Sequence, residues 1–226
     1  MTISCQKYFL LIFVCFLLVS KSFAQDNDAA FWPGIKLHYK YNKKFMGNLF
    51  IQERLQNNYT KHDNLFIDYC TSYELSKHYE AELAYVFVDH VNTDKSHSFQ
   101  HQIYFDITSK FKLYKKLHFK YTPLFQIQWT DVNSSPSGKI PDKYLRNKFC
   151  IEYKLKKRIE PFVFIEWRTN MKRIPYYVNR TRYCVGTSFH LHHKFDIDLY
   201  YMIQHGYNEN TPDYMYITGI NFSKEL

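Results

Sequence analysis

From residue 35 onward, apolar and polar side chains alternate along the chain with a period of two, and no helix-length apolar periodicity interrupts them. Leu117, Phe119, Tyr121, Pro123, Phe125, Ile127 and Trp129 share one face of such a segment. His118, Lys120, Thr122, Leu124, Gln126 and Gln128 share the other. Comparable segments at 35–41, 45–55, 65–75, 79–89, 99–111, 117–130, 143–154, 159–168, 179–189, 194–204 and 214–222 predict β-strands. Most have the ten or so residues that a tilted strand needs to cross a bilayer.

The charged residues test this phase, because apolar residues alone define it. Arg54, Asp68, Glu74, Glu80, Glu82, Asp106, Lys120, Arg146, Lys148, Glu152, Lys154, Glu160, Glu166, Arg168, Arg180, Arg182, Asp196 and Asp198 all fall on the polar face. The apolar face keeps Glu53 and Asp89, both near predicted strand ends. An arbitrary phase would divide the charges evenly, so each strand has one greasy and one charged side.

A soluble barrel or sandwich also alternates; connection lengths and aromatic residues separate the two cases. Short connections are expected at 76–78, 112–116, 155–158 and 190–193, and long ones at 56–64, 90–98, 131–142, 169–178 and 205–213. Membrane barrels have tight periplasmic turns and longer outer loops. Trp129 and Trp167 precede long connections on the apolar face. Tyr73, Tyr79, Phe111, Tyr153, Phe189 and Phe195 crowd the short-turn end. These are candidate membrane-interface aromatics, forming two belts with aliphatic residues between. Packing so many rings into a dry soluble core would be hard at normal interior density.

The expected architecture is therefore all-β: an antiparallel up-and-down transmembrane barrel over 45–226. Counting back from the C-terminus gives ten strands from residue 45. Residues 25–44 are then a lead-in or first strand, with a further strand conceivable near Phe31-Trp32, because such barrels normally close with an even number. The expected total is ten to twelve.

Composition agrees with burial on a large scale. The 226 residues include 20 Phe, 21 Tyr and 3 Trp, too aromatic for a disordered chain, while 23% charged residues exclude a bundle of membrane-spanning helices. Lys7, the apolar run from Tyr8 to Val19 and the small residues of Ser22-Phe23-Ala24 form a signal-peptide pattern over residues 1–24. The run is too short for a membrane anchor. Cleavage after Ala24 would leave a net charge of +7 from the +9 of the full sequence. Of five cysteines, Cys70, Cys150 and Cys184 would remain, a number and spacing that fit free thiols or one disulfide and no metal site.

The candidate lumen network comprises Arg54, Arg146, Arg168, Arg180 and Arg182 facing Glu74, Glu80, Glu82, Glu152, Glu160 and Glu166. Buried charges persist when paired, so these residues either fill the interior structurally or line a narrow pore with arginines as anion contacts. An alternative is a rim hydrolase using Asp89, His90, His97, Ser98 and His101 around one outer connection. A soluble secreted ligand binder is a third reading. His190, His192 and His193 form a compact cluster lacking further ligands at metal spacing before Asp196. Lys156-Lys157-Arg158 reads as a solvated turn. No phosphate loop or nucleotide fingerprint occurs, so no cofactor, no metal, no nucleic acid and no catalysed reaction are expected.

The chain resembles the outer-membrane barrels of Gram-negative bacteria, mostly Bacteroidota, grouped as domain of unknown function 2490. The resemblance rests on an early Trp32, a strand ending Gln52-Glu53-Arg54, the Pro161–Glu166 strand and the Arg180–Gly186 strand after a long loop. It implies a location in the bacterial outer membrane with export, contact with outer-membrane lipid, and insertion by the barrel assembly machinery, and it supplies no activity. Departures are the low count of six glycines and the ending Phe222-Ser-Lys-Glu-Leu, since such barrels often end on an aromatic residue.

Overall fold

The structure is a computed structural model that describes residues 27–133, 139–155, 158–172, 175–207 and 214–226. The expected signal peptide and Lys156-Lys157 lie outside the described residues. Eleven strands follow one another: β1 Asn27–Lys40, β2 Phe45–Gln56, β3 Lys61–Ser76, β4 Tyr79–Val91, β5 His97–Tyr114, β6 Leu117–Trp129, β7 Asp142–Tyr153, β8 Ile159–Asn170, β9 Tyr177–His190, β10 Phe195–Gly206 and β11 Tyr214–Glu225. Each pairs antiparallel with its sequence neighbour, and β1 pairs with β11 to close the barrel. Closure satisfies the backbone groups that a sheet edge would leave bare.

The closing pair is parallel, from Asn27↔Tyr214 to His38↔Glu225. The antiparallel barrel of ten to twelve strands is thus present with eleven, and the one departure from antiparallel pairing is this seam. With eleven strands the first and last run the same way, so their seam has to be parallel. The beginning of β1 consequently lies at the rim opposite the end of β11. Of the alternatives for residues 25–44, the structure has the first strand: Asn27–Lys40 is a single strand containing both Trp32 and Ile35. Pro33-Gly34 breaks the local alternation, but pairing on both sides of β1 carries the strand through it.

Connections at one rim are 41–44, 77–78, 115–116, 154–158 and 191–194. Those at the other are 57–60, 92–96, 130–141, 171–176 and 207–213. The first two of the second set are short, unlike the long loops expected. β2 and β3 continue past a bulge at Arg54/Leu55, and Asn57, Asn58 and Tyr59 then turn the chain with φ of 53°, 54° and 69°. In the 92–96 turn, the Ser96 backbone N–H and hydroxyl donate to Asp94 Oδ1 at 2.9 and 2.6 Å. These bonds hold the Asp94 carboxyl below the usual carboxylate range.

The apolar faces point outward. Ile35, Leu83, Phe105, Val163 and Val185 are exposed, whereas Val88 and Ile217 on the inner face are 0% exposed. The inner face is not uniformly polar, however. Ala30, Trp32, Cys184, Met202 and Ile217 form a buried cluster inside the barrel, with Phe162, Phe164, Tyr200 and Met215 against it. Bare backbone makes room for these rings. One cross-strand row runs Phe162–Gly186–Tyr200–Gly219–Trp32 across five strands, alternating aromatic residue and glycine. A Cβ at Gly186 would meet Phe162 Cε1 at 2.9 Å and the Leu199 carbonyl oxygen at 2.8 Å, and one at Gly219 would collide with the Tyr200 ring. Rings filling the notch above a glycine restore packing that glycine alone cannot supply.

Candidate functional site

Glu166, 7% exposed, is the anionic centre of the lumen. Arg146 Nη2 donates to both its carboxylate oxygens at 3.0 and 2.8 Å, and Arg182 Nη1 donates to Oε1 at 3.2 Å. Arg146, Glu166 and Arg182 come from three adjacent strands, β7, β8 and β9, with inward parity. Arg182 Nε also donates to Gln204 Oε1 at 2.9 Å. Charge-assisted hydrogen bonds from two arginines are what let this carboxylate stay away from bulk water.

Among the described residues, Arg54 and Arg168 meet rings and amides. Arg54 is sandwiched with its guanidinium carbon 3.9 Å from the Trp32 ring centre and 3.4 Å from that of Phe66. Its Nε donates to Gln52 Oε1 at 3.0 Å. Arg168 lies 4.4 Å over Tyr144 and donates from Nε to Asn179 Oδ1 at 3.1 Å. Arg180 stands opposite Arg168 in the β8–β9 register. The expected wall of arginines facing six glutamates is thus corrected: among the described residues, Glu166 alone meets arginine.

Lysines and a histidine take the other carboxylates nearer the 41–44 rim. Lys110 pairs with Glu80, Lys120 Nζ lies 2.5 Å from Glu152 Oε1, and His190 Nε2 lies 3.6 Å from Glu160 Oε2. Glu74 stands exposed opposite Glu80 in the β3–β4 register. Sequence reasoning passed over Lys36, Lys110, Trp32, Phe66, Tyr144 and Phe164 as lumen residues. Their inward parity was the available signal.

A second, acidic wall spans β3 to β5. Tyr104 places its hydroxyl 3.1 Å from Asp68 Oδ2 and 3.0 Å from Glu82 Oε1. Asp106, 7% exposed, is the cross-strand neighbour of Glu82. Asp68 Oδ1 is buried without a hydrogen-bond partner. Two lysines on β1 and β7 rest on rings, Lys36 Nζ 5.0 Å from the centre of Phe50 and Lys148 Nζ 4.3 Å from that of Phe164.

The hydrolase candidates divide between faces. Asp89 Oδ1 and His97 Nδ1 lie 2.8 Å apart, and His101 Nδ1 lies 2.6 Å from the Tyr85 hydroxyl. Ser98, one residue from His97, is 3% exposed and points inward, in register with His90. His90 Nδ1 lies 2.9 Å from Asn64 Oδ1 and 3.4 Å from Asp63 Oδ1. A nucleophile and base at 98 and 97 or 101 are therefore on opposite sides of the sheet. His190 ends β9, and His192 and His193 form a 3-10 turn, so His190 and His192 do not share a strand face.

On the outside, Tyr73, Tyr79 and Tyr153 are exposed toward the short-turn rim. Phe195 stacks on Phe222 at 6.2 Å. Trp167 stacks on Phe149 at 5.2 Å, and Trp129 pairs with His101 across β5 and β6. Cys70, Cys150 and Cys184 are free and buried.

The family model described as protein of unknown function (DUF2490) matches residues 29–215, from β1 to the start of β11. No curated protein matches the chain. Among solved structures, a bacterial polysaccharide outer membrane secretin is similar with a TM-score of 0.50 and 10% identity, over 80% of this chain and 64% of that one. This chain spans just under two thirds of the secretin's length. The beta domain of the Bordetella autotransporter BrkA gives 0.48 and 11% over 76% and 82% of the two chains. The translocator domain of autotransporter NalP from Neisseria meningitidis gives 0.41 and 8% over 77% and 71%. The secretin likeness and the closed sheet make this an outer-membrane-type β-barrel fold.

Proposed function

Since the chain belongs to the family of proteins of unknown function DUF2490, we propose its role from the lumen itself: a narrow, charge-lined barrel of the bacterial outer membrane that admits water and small polar solutes. The signal-peptide pattern of residues 1–24 supports export. The aromatic belts would meet lipid headgroups at both interfaces, and the barrel assembly machinery would insert the strands. Short turns would then face the periplasm.

One observation carries the reading. A purely structural filling would pair each buried charge, because an unpaired one is costly away from water. Glu166 meets this condition. Asp106, 7% exposed and with no hydrogen bond or ion pair among the described residues, does not. Water admitted to the lumen would supply the missing solvation. The apolar cluster around Trp32 and Met202 lies on β1 and β10, across the barrel from Asp106 on β5, so a path for solutes would run beside it, narrow and off-centre.

Planar-bilayer recording of the purified chain tests the proposal. Small discrete conductance steps that change with Asp106→Asn support it. A silent bilayer containing protein that shows the heat-modifiable gel migration of a folded barrel overturns it.

A further inference from the structure

We infer that the mid-lumen favours small zwitterions, with an ammonium group directed to the Asp68, Glu82 and Asp106 wall and a carboxylate directed to Lys36 and Lys148. The inference rests on the proposed open lumen and adds the class of solute.

The acidic wall is short of donors. The single hydroxyl proton of Tyr104 lies between Asp68 Oδ2 at 3.1 Å and Glu82 Oε1 at 3.0 Å, and it can serve one of them. Asp68 Oδ1 has no partner. Asp106 is 7% exposed, faces the same space beside Glu82, and makes no hydrogen bond or ion pair among the described residues. Three carboxylates therefore share one donor. An ammonium group carries three donors and a compensating charge.

The basic side is short of acceptors. Lys36 and Lys148 rest on Phe50 and Phe164, and neither has a carboxylate at ion-pair distance among the described residues. A ring face attracts an ammonium but accepts no full hydrogen-bond set. The two sides are within electrostatic range of each other and of further charges: Lys36 lies in the field of Asp198, Lys148 and Asp68, and Asp106 in that of Glu82, Glu80, Arg146 and Lys148. They nevertheless do not touch. A simple cation entering this space is drawn to one wall and repelled by the other, and so is a simple anion. A molecule with both charges gains at both walls. In the open lumen proposed above, separated charge of both signs would select for a dipolar solute over singly charged ones.

Proteoliposome swelling with glycine and its uncharged isomer glycolamide tests this, because the two solutes have the same atoms and nearly the same size. The full-length protein is expected to admit glycine about threefold or more faster than glycolamide, the scale of weak, water-screened ionic contacts. Asp106→Asn and Lys148→Met are each expected to bring the ratio to about one while glycolamide still enters. A wild-type ratio at or below one overturns the inference and leaves the open lumen standing. Entry of neither solute above protein-free vesicles overturns both. A raised ratio that persists in both variants overturns the assignment to these walls.

Discussion

Replacing Gly219 with alanine probes whether the interior ring-and-glycine row is a packed structure. The added methyl would fall inside the Tyr200 ring, which sits over Gly219 from the adjacent strand. Tyr200 cannot swing freely, because it packs against the Trp32–Met202 cluster and its hydroxyl accepts from Gln52 Nε2 at 3.3 Å. Forcing it aside is overpacking, which costs about 1–3 kcal/mol. Tyr200→Leu alone loses ring packing and that hydrogen bond, at about 2 kcal/mol. Additive behaviour would put the double variant at about 4 kcal/mol, but the methyl would then occupy space the ring has left. The double variant should cost no more than Tyr200→Leu alone, a coupling of about 2 kcal/mol. Gly186→Ala is the contrast. There the methyl also meets the Leu199 carbonyl at 2.8 Å, a backbone atom. Removing the Phe162 ring should therefore rescue it only in part. Equilibrium denaturant unfolding in detergent micelles, followed by tryptophan fluorescence, measures all four combinations at each site. Additivity within about 0.5 kcal/mol at Gly219 would refute the packed row.

Glu166→Gln leaves the Arg146 and Arg182 guanidiniums without their carboxylate and is expected to destabilise by about 3–5 kcal/mol in the same assay; a loss under about 1 kcal/mol would mean that water already solvates them. Arg54→Lys should cost about 1 kcal/mol and shift Trp32 emission, since a compact ammonium cannot fill the slot between two rings; an unchanged spectrum contradicts the sandwich. In single-tryptophan variants, lipids brominated along their acyl chains should quench Trp129 and Trp167 but spare Trp32, and strong quenching of Trp32 would put it on the wrong side of the wall. Because hydrogen bonds from Ser96 lower the Asp94 carboxyl below its ordinary range, the turn they hold should be intact at neutral pH and loosen only as the pH falls through that lowered value. The Ser96 amide resonance should accordingly shift at a pH below that of an exposed aspartate, and a midpoint above it contradicts the bonds.

Side-chain parity carried much of the architecture. Arg146, Glu166 and Arg182 share the polar phase of their segments, and the barrel turns that phase inward. Parity alone also separates Ser98 from His97 and His101, while it keeps His90 on the same face as Ser98. Pairing partners required register, which period-two patterning does not encode. Glu80 and Glu152 meet Lys110 and Lys120 because those lysines lie on neighbouring or nearby strands. β1 was obscured by Pro33-Gly34, whose local preferences yield to pairing with β2 and β11. Trp32, Phe66 and Phe164 read as outward residues by chemistry, and turn inward because arginines, a lysine and glycines make room for them.

The parallel seam has a consequence for re-engineering the chain order. β1 and β11 are paired over about a dozen residues, from Asn27↔Tyr214 to His38↔Glu225. Their outer ends are thus separated by nearly a full wall height, roughly 30 Å or more at 3.3 Å per residue with tilt. A circular permutant would need a tether of about ten or more extended residues running through the bore or along the acyl chains. Reporter tags fused before β1 and after β11 should emerge on opposite sides of the same membrane.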